Sequence, residues 1–135
     1  AESCTGGMVA AAITDEPGSS AIFERGFVTY SNLAKQEMLG VLATTLQAHG
    51  AVSEQVAAEM AQGARRAAGA DIAVAISGIA GPGGSDFKPE GRVCYAIATA
   101  DGTLTQTIEH GAWGRTQVRL AATEQALSMI WQALQ

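Results

Sequence analysis

The sequence predicts an α/β protein, a three-layer α/β/α domain built on a mixed, mostly parallel five-stranded sheet. Helical and strand patterns alternate along the chain, an order that places helices on both faces of a parallel sheet. A nearly continuous apolar run at residues 71–76 is typical of a strand that is covered on both faces. Further along, Asp101 and Gly102 separate two strand-like segments and indicate one antiparallel hairpin.

The first half of the chain carries patterns for three helices and one strand. Residues 8–13 are small and apolar and are predicted to be helical, whereas Gly, Pro and Ser make residues 15–20 a loop. Aromatic and β-branched residues predict a short buried strand at 26–30. The segments 32–39 and 53–69 are predicted helices, because each has a serine that can cap its first turn and a glycine where it ends.

The second half is predicted to complete the sheet and to add one long helix. Residues 71–76 form the central strand, and residues 77–91 form a long loop rich in Gly and Pro. Residues 93–100 and 103–110 are predicted to pair as the two strands of the hairpin. Residues 115–134 close the chain as a helix with apolar side chains near one face.

Length and composition exclude several function classes. The 135 residues have the length of one domain, and no repeat, linker or low-complexity segment interrupts them. The formal net charge of -5 argues against a broad nucleic-acid or anionic-membrane surface, because both require a positive footprint. No apolar run approaches the roughly 18 residues that span a bilayer. Cys4 and Cys94 show neither metal nor redox spacing, so the simplest interpretation is a reduced cytoplasmic protein.

The opening segment of the chain is the first candidate site. Three side chains that can act as nucleophiles, those of Ser3, Cys4 and Thr5, are followed at once by Gly6 and Gly7, which open a helix. Helix N-termini offer unpaired N–H groups and a partial positive charge, which suit a phosphate or a developing oxyanion. A capped helix start with small residues for close packing fits the same residues equally well.

The second candidate combines Tyr30 with Lys35. A strand that ends in Tyr30 and turns into a helix carrying Lys35 can aim both side chains at one point. A lysine near a serine can act as a general base if burial lowers its pKa, and a tyrosine can relay or position a proton. An ordinary solvated helix lysine has the same spacing.

The third candidate is the glycine-rich loop after the apolar strand, which contains Ser77, Gly78 and Gly81. Ligands of open α/β sheets collect beyond the carboxyl ends of strands, where a glycine-rich loop lets backbone N–H groups reach them. The loop matches neither a Walker loop nor the dinucleotide fingerprint. A long flexible connection is the alternative interpretation.

Two arginines at the start of the last helix form the fourth candidate. Arg115 and Arg119 are four residues apart and share a helix face, so their guanidinium groups can hold a phosphate together. Two solvated surface arginines would show the same spacing.

Five motifs, taken together and in order, resemble the CinA C-terminal family. They are Ala-Glu-Ser-Cys-Thr-Gly-Gly at 1–7, Gly-Phe-Val-Thr-Tyr-Ser-Asn at 26–32 with Lys35, Gly-Ala-Val-Ser-Glu at 50–54, Ser-Gly-Ile-Ala-Gly-Pro at 77–82 and Lys-Pro-Glu-Gly at 88–91. The similarity runs through essentially the whole chain. It implies a nicotinamide mononucleotide deamidase, which hydrolyses the carboxamide to give nicotinic acid mononucleotide and ammonia.

The resemblance also implies roles for individual residues. Ser3 is the expected nucleophile, Lys35 the base that takes its proton, and Tyr30 assists, while Cys4 remains the neighbouring alternative nucleophile. Backbone N–H groups of residues 5–7 are expected to hold the oxyanion or the phosphate. No metal ion or organic cofactor is expected. The pyridinium substrate is cationic, so a locally acidic pocket is compatible with it.

Further expectations concern partners and extent. The family implies a homodimer that acts on a small pyridine nucleotide, with no nucleic-acid or membrane partner. Its members carry a helix and a strand before the first motif, so residues 1–135 are expected to be one CinA C-terminal-like domain without that native N-terminal helix and strand. The main rival function is a nucleotide-binding module without turnover, linked to competence or DNA damage. A phosphotransferase is disfavoured, because the phosphate-loop lysine and an evident carboxylate pair for magnesium are missing.

Overall fold

The computed structural model of the chain describes residues 1–85 and 87–135. In chain order its elements are α1 (Met8–Thr14), a short 3-10 turn (Ser19–Ala21), α2 (Asn32–Leu39), α3 (Ala43–His49), α4 (Glu54–Ala68), β1 (Ala73–Gly78), β2 (Arg92–Thr99), β3 (Gly102–Glu109) and α5 (Arg115–Ala133). The sequence patterns do not predict α3, whose first turn has no side-chain cap. Within the described ranges, no helix combines the length and the apolarity that a membrane crossing requires.

The α/β class predicted from the sequence is right, but the predicted sheet is wrong. Instead of five mostly parallel strands, β1, β2 and β3 form a three-stranded antiparallel sheet in that order. The physical reason lies between β1 and β2, where the described part of residues 79–91 contains no helix. A chain that returns without a crossover helix places its next strand antiparallel. The predicted hairpin of β2 and β3 is confirmed, with Thr99 paired to Gly102 at its closed end.

The predicted strand at residues 26–30 is also wrong. Among the described residues of this segment, Val28 alone makes a bridge, a parallel pairing with Glu2. Glu2 makes a second parallel bridge with Ile76 of β1. Val28 is 49% exposed and Tyr30 63%, so the segment lacks the burial that supports a regular strand of this composition. The opening residues of the chain therefore lie between this segment and β1.

Helices cover both faces of the sheet, and side chains alternate along β2 between two cores. One core, which includes residues of α1 and α5, receives Val93, Tyr95 and Ile97. The other core, which includes residues of α2, α3 and α4, receives Cys94 and Ala96. Small residues on this second face let α4 lie close to the strands.

Two helices, α2 and α4, begin and end where the sequence predicts. The Oγ atom of Ser31 accepts a hydrogen bond from an N–H in the first turn of α2, and Gly40 ends that helix in the left-handed conformation, with φ of 71°. The Oγ atom of Ser53 does the same for α4, which ends at Gly69 with φ of 61°. Local capping thus fixes the bounds of both helices.

A glycine sets the distance between α2 and α4. A Cβ atom at Gly63 of α4 would lie 1.9 Å from the carbonyl oxygen of Leu39, the last residue of α2. No side chain fits in this gap, so glycine is required for the contact. The contact fixes where α2 lies, and α2 carries Lys35.

Candidate active site

A cavity of about 340 Å³ opens at the carboxyl end of β1. The predicted site residues in its wall are Ser3, Tyr30, Lys35, Ser77, Gly78, Gly81 and Arg115. Other wall residues include Cys4, Asn32 and Lys88. Four predicted site residues are not part of the wall, namely Thr5, Gly6, Gly7 and Arg119.

The Ser3 backbone is fixed on two sides. Its N–H donates to the carbonyl of Ile76 in β1 at 3.0 Å, and its own carbonyl accepts from the N–H of Gly6 at 3.1 Å. The preceding residue, Glu2, donates its N–H to the carbonyl of Phe27 at 2.8 Å. The Ser3 side chain is 8% exposed at the cavity wall. A hydroxyl anchored in this way is preorganised for attack on a bound ligand.

Lys35 is buried beside Ser3, with only 1% of the residue exposed. Its Nζ atom lies 3.1 Å from Ser3 Oγ. The same nitrogen lies 2.9 Å from the carbonyl oxygen of Thr29 and 3.2 Å from that of Tyr30. Within α2, Lys35 shares the buried side with Leu39, four residues later. These contacts exclude the alternative of a solvated helix lysine.

The surroundings of Lys35 favour its neutral form. Burial lowers the pKa of Lys35, because the ammonium loses its hydration, and the smaller effect of Cys4 opposes this shift. A neutral amine has two N–H donors and one lone pair. It can therefore donate to the carbonyls of Thr29 and Tyr30 while its lone pair accepts the Ser3 hydroxyl. This arrangement suits a general base.

Cys4 is the weaker candidate for the nucleophile. It is 6% exposed, and burial raises the pKa of its thiol to about 11. Smaller effects lower this pKa, first the hydrogen bond from the Cys4 backbone N–H and then the charges of Arg119 and Lys35. A thiol with such a pKa is protonated at neutral pH, and the thiolate is the reactive form.

Tyr30 contacts Lys35 through its backbone carbonyl, while its phenol lies at the cavity mouth. The Tyr30 hydroxyl accepts a hydrogen bond from Arg115 Nη2 at 3.0 Å. The other end of the guanidinium, Nη1, donates to the carbonyl of Gly81 at 2.7 Å. Tyr30, Arg115 and the glycine-rich loop therefore form one continuous rim.

The glycine-rich loop contributes a closely packed backbone to the cavity. Ser77 is 1% exposed and donates its hydroxyl to the carbonyl of Ala51 at 2.7 Å. A Cβ atom at Gly78 would lie 2.7 Å from a Val93 methyl group, and one at Gly81 would lie 2.2 Å from the Glu90 carboxylate. Packing therefore requires glycine at Gly78, and the left-handed backbone of Gly81, with φ of 90°, favours glycine there; a flexible connection explains neither.

The N–H groups of the opening turn are bound by a buried carboxylate of the chain itself. Glu2 is 4% exposed and accepts hydrogen bonds from Thr5 Oγ1 at 2.6 Å and from the N–H of Gly7 at 3.2 Å. Its two oxygens also accept from the N–H groups of Val9 at 3.0 Å and Ala10 at 3.1 Å. The sequence predicts that the N–H groups of residues 5–7 hold an anionic ligand, but the N–H of Gly6 donates to the Ser3 carbonyl and that of Gly7 to Glu2.

The two arginines of α5 reach different places. Arg115 lines the cavity, whereas Arg119 lies behind the opening turn. Arg119 Nε donates to the carbonyl of Cys4 at 3.0 Å, and Nη2 donates to the carbonyl of Thr5 at 3.4 Å. The structure does not bring the two guanidinium groups to a common site.

Three basic side chains lie in the cavity wall, those of Lys35, Lys88 and Arg115. Lys88, which begins the motif at 88–91, is not among the predicted site residues; its Nζ donates to the carbonyls of His49 at 2.7 Å and Val52 at 2.5 Å. Residues 1–85 and 87–135 contribute no carboxylate to the wall, so an acidic pocket is not observed in this part of the chain. The same residues contain no group of three His, Cys, Asp or Glu side chains placed to hold a metal ion.

Comparison with known proteins shows the family. The model of the CinA C-terminal domain matches residues 1–134. The nicotinamide-nucleotide amidohydrolase PncC of Escherichia coli (strain K12) is 60% identical over 133 residues, which cover 98% of this chain and 81% of that protein. The crystal structure of competence/damage inducible protein CihA from Agrobacterium tumefaciens matches with a TM-score of 0.96 and 50% identity, over 99% of this chain and 82% of that one. A CinA superfamily protein from Escherichia coli matches with a TM-score of 0.93 and 39% identity, over 98% and 77% of the two chains. The chain belongs to the CinA C-terminal domain family.

Proposed function

We propose that the protein hydrolyses the carboxamide of a nicotinamide nucleotide, with nicotinamide mononucleotide as the substrate. The observation that carries the proposal is the contact of 3.1 Å between the buried amine of Lys35 and the hydroxyl of Ser3. The relative with 60% identity is a nicotinamide-nucleotide amidohydrolase, which supports the same reaction class.

The reaction begins with transfer of a proton from Ser3 to Lys35. The Ser3 oxygen attacks the carboxamide carbon while the neutral amine of Lys35 takes the hydroxyl proton. Lys35 then gives this proton to the departing nitrogen, and ammonia leaves. Water attacks the resulting ester, Lys35 again serves as base, and nicotinic acid mononucleotide is released.

The N–H of Cys4 is the donor best placed to stabilise the oxyanion. Because the peptide unit is planar and trans, this N–H points opposite to the Ser3 carbonyl, which is turned towards Gly6 N–H. Among the described residues no backbone carbonyl accepts a hydrogen bond from it, and its neighbour is the Cys4 sulfur, whose pKa this N–H lowers. A backbone donor directly after the nucleophile is a recurrent source of oxyanion stabilisation in acyl transfer.

Arg115 is the proposed ligand of the substrate phosphate. Its guanidinium lies in the cavity wall and is bonded to two neutral oxygens, those of Gly81 and Tyr30. A phosphate offers such a group a stronger, charge-assisted and bidentate contact. Lys88 adds a second positive charge to the same wall, and Ser77, Gly78 and Gly81 shape its floor.

We further propose a cytoplasmic homodimer that binds neither nucleic acid nor membrane. Cys4 and Cys94 are both free thiols, which suits a reducing compartment. Leu104 is 73% exposed and Trp131 66%, and a second copy of the chain can cover such apolar side chains. Size-exclusion chromatography with light scattering measures the molar mass of the protein in solution. The mass of a monomer would contradict the proposed dimer.

Ammonia release from nicotinamide mononucleotide tests the proposed reaction. Nicotinamide riboside and NAD serve as comparison substrates, since the first lacks the phosphate and the second carries a second nucleotide. We expect turnover of the mononucleotide to exceed that of both. Tight binding of the mononucleotide without ammonia release would instead identify a sensing module.

A further inference from the structure

We infer that Glu2 and Arg119 are a pair of positioning residues that set the direction of the oxyanion donor from behind the nucleophile turn. Neither side chain lines the cavity wall. Glu2 binds the donors of the turn and of the first helical residues, whereas Arg119 binds the carbonyls of Cys4 and Thr5. The inference rests on the proposed amide hydrolysis at Ser3.

Arg119 fixes the peptide unit on one side of Cys4. Its Nε atom holds the Cys4 carbonyl at 3.0 Å. The peptide unit on the other side is fixed by the bond of 3.1 Å from Gly6 N–H to the Ser3 carbonyl. With both neighbouring peptide planes held, the direction of the Cys4 N–H has no freedom left, because each unit is planar.

Glu2 fixes the far end of the same turn. Its carboxylate accepts from the hydroxyl of Thr5 and from the N–H groups of Gly7, Val9 and Ala10, at distances between 2.6 and 3.2 Å. These bonds consume the donors that a substrate anion would otherwise find at the start of α1. The developing negative charge is therefore directed to the donor next to Ser3.

The two side chains also act on Cys4 through their charges. Burial has the largest effect on the pKa of the Cys4 thiol and raises it. The positive charge of Arg119 lowers this pKa and the negative charge of Glu2 raises it, both by less than burial does. The guanidinium contacts the Cys4–Thr5 peptide unit, so its effect on the Cys4 N–H is exerted through the position of the turn. The guanidinium lies beside Gly6, where a Cβ atom would make an ordinary contact of 3.4 Å with Arg119 Nη2.

Arg119→Met and Glu2→Gln separate this role from a phosphate-binding role. Glutamine keeps the shape of Glu2 but turns an N–H₂ donor towards N–H groups of α1. We expect kcat to fall about 10- to 100-fold in each variant, somewhat less than removal of an oxyanion donor itself, with KM unchanged for both the mononucleotide and the riboside. Arg119→Lys, which keeps the charge and one donor, should recover part of kcat. Arg66→Met, at an exposed arginine of α4, is the matched control.

A sulfur substitution in the substrate reports directly on the oxyanion donor. The thioamide analogue of nicotinamide mononucleotide places sulfur where the oxyanion oxygen develops, and sulfur is the weaker acceptor. We expect the loss in Arg119→Met and Glu2→Gln to be several-fold smaller for the thioamide, because interacting changes are not additive. Equal losses for the two substrates, or a KM increase confined to the mononucleotide, would overturn the inference.

Labelling of Ser3 by a fluorophosphonate keeps the test independent of the substrate. We expect Arg119→Met and Arg119→Lys to be labelled more slowly than wild type, in that order, at unchanged Tm. If wild type is labelled but releases no ammonia, and the Arg119 variants are labelled more slowly, the proposed function fails while the positioning role stands. If every folded variant is labelled at the wild-type rate, the positioning role fails.

Discussion

The Nζ atom of Lys35 lies 3.1 Å from the Oγ atom of Ser3, although 32 residues separate the two in the chain. The backbone of Ser3 is hydrogen-bonded to β1 and to the turn that follows Ser3. Lys35 is carried by the short helix α2, whose last residue packs against α4. Two carbonyl oxygens complete the contacts of the amine, so the pair is arranged for transfer of a proton from oxygen to nitrogen.

Replacing the nucleophile should abolish turnover, whereas replacing its neighbour should not. We expect Ser3→Ala to release no ammonia from nicotinamide mononucleotide and to keep the wild-type Tm within a few degrees. Cys4→Ala should retain activity, because the Cys4 thiol is protonated at neutral pH. An active Ser3→Ala together with an inactive Cys4→Ala would transfer the role of nucleophile to Cys4.

The stability of the protein should depend on pH through Lys35. Burial lowers the pKa of this group in the folded state, so the unfolded chain binds more protons below the ordinary value of 10.5. The cost of burying the ammonium is therefore largest below the folded pKa and disappears as pH rises to 10.5. We expect the free energy of unfolding of wild type to rise relative to that of Lys35→Met as pH rises from the lowered pKa of Lys35 towards 10.5. Urea unfolding of both proteins measures this, and a constant difference would contradict it.

Arg115→Met should lower kcat/KM for nicotinamide mononucleotide more than kcat/KM for nicotinamide riboside. A charge-assisted bond to phosphate contributes about 1.5–3 kcal/mol, which corresponds to a roughly 10- to 150-fold increase in KM for the mononucleotide. Nicotinamide riboside lacks the phosphate, so its kcat/KM should change little. Steady-state kinetics with both substrates decide the matter, with Arg66→Met as the control for loss of a charge. Equal effects on the two substrates would exclude a phosphate role.

A methyl group at Gly63 should disturb both stability and catalysis. The added Cβ atom would meet the Leu39 carbonyl at 1.9 Å, and forced overpacking costs about 1–3 kcal/mol, occasionally more. We expect Gly63→Ala to lower the free energy of unfolding by this amount and to lower kcat, because the shift of α2 carries Lys35 with it. Gly26→Ala is the control, since its Cβ atom would make an ordinary contact of 3.4 Å with Ala10. Wild-type stability and kcat in Gly63→Ala would show that the helices can separate freely.

Features fixed by local interactions could be read from the sequence. Ser31 and Gly40 mark the ends of α2 because capping involves only neighbouring residues. The direction of the strands could not be read in this way, because apolar runs and helical periods carry no information about the path of residues 79–91. The prediction of a mostly parallel sheet was wrong for that reason.

The site shows the same division between local and non-local information. The spacing of four residues predicts that Arg115 and Arg119 are neighbours on one face of a helix. The site that each guanidinium reaches is set instead by the tertiary contacts of α5. One lies at the cavity and the other behind the turn. Glu2 carries no local signal of its role, because it stands six residues before Met8, the first residue of α1, outside the usual capping spacing.

The pH dependence of kcat/KM for nicotinamide mononucleotide tests the central claim, that Lys35 is the base for Ser3. A general base must be neutral, and burial lowers the pKa of Lys35 from its usual 10.5. We expect kcat/KM of wild type to rise with pH through an inflection well below 10.5. Lys35→Met should lose both the activity and the inflection while it still binds the mononucleotide, as measured by calorimetry. Normal turnover by Lys35→Met, or a variant that loses only substrate affinity, would contradict the Ser3–Lys35 mechanism.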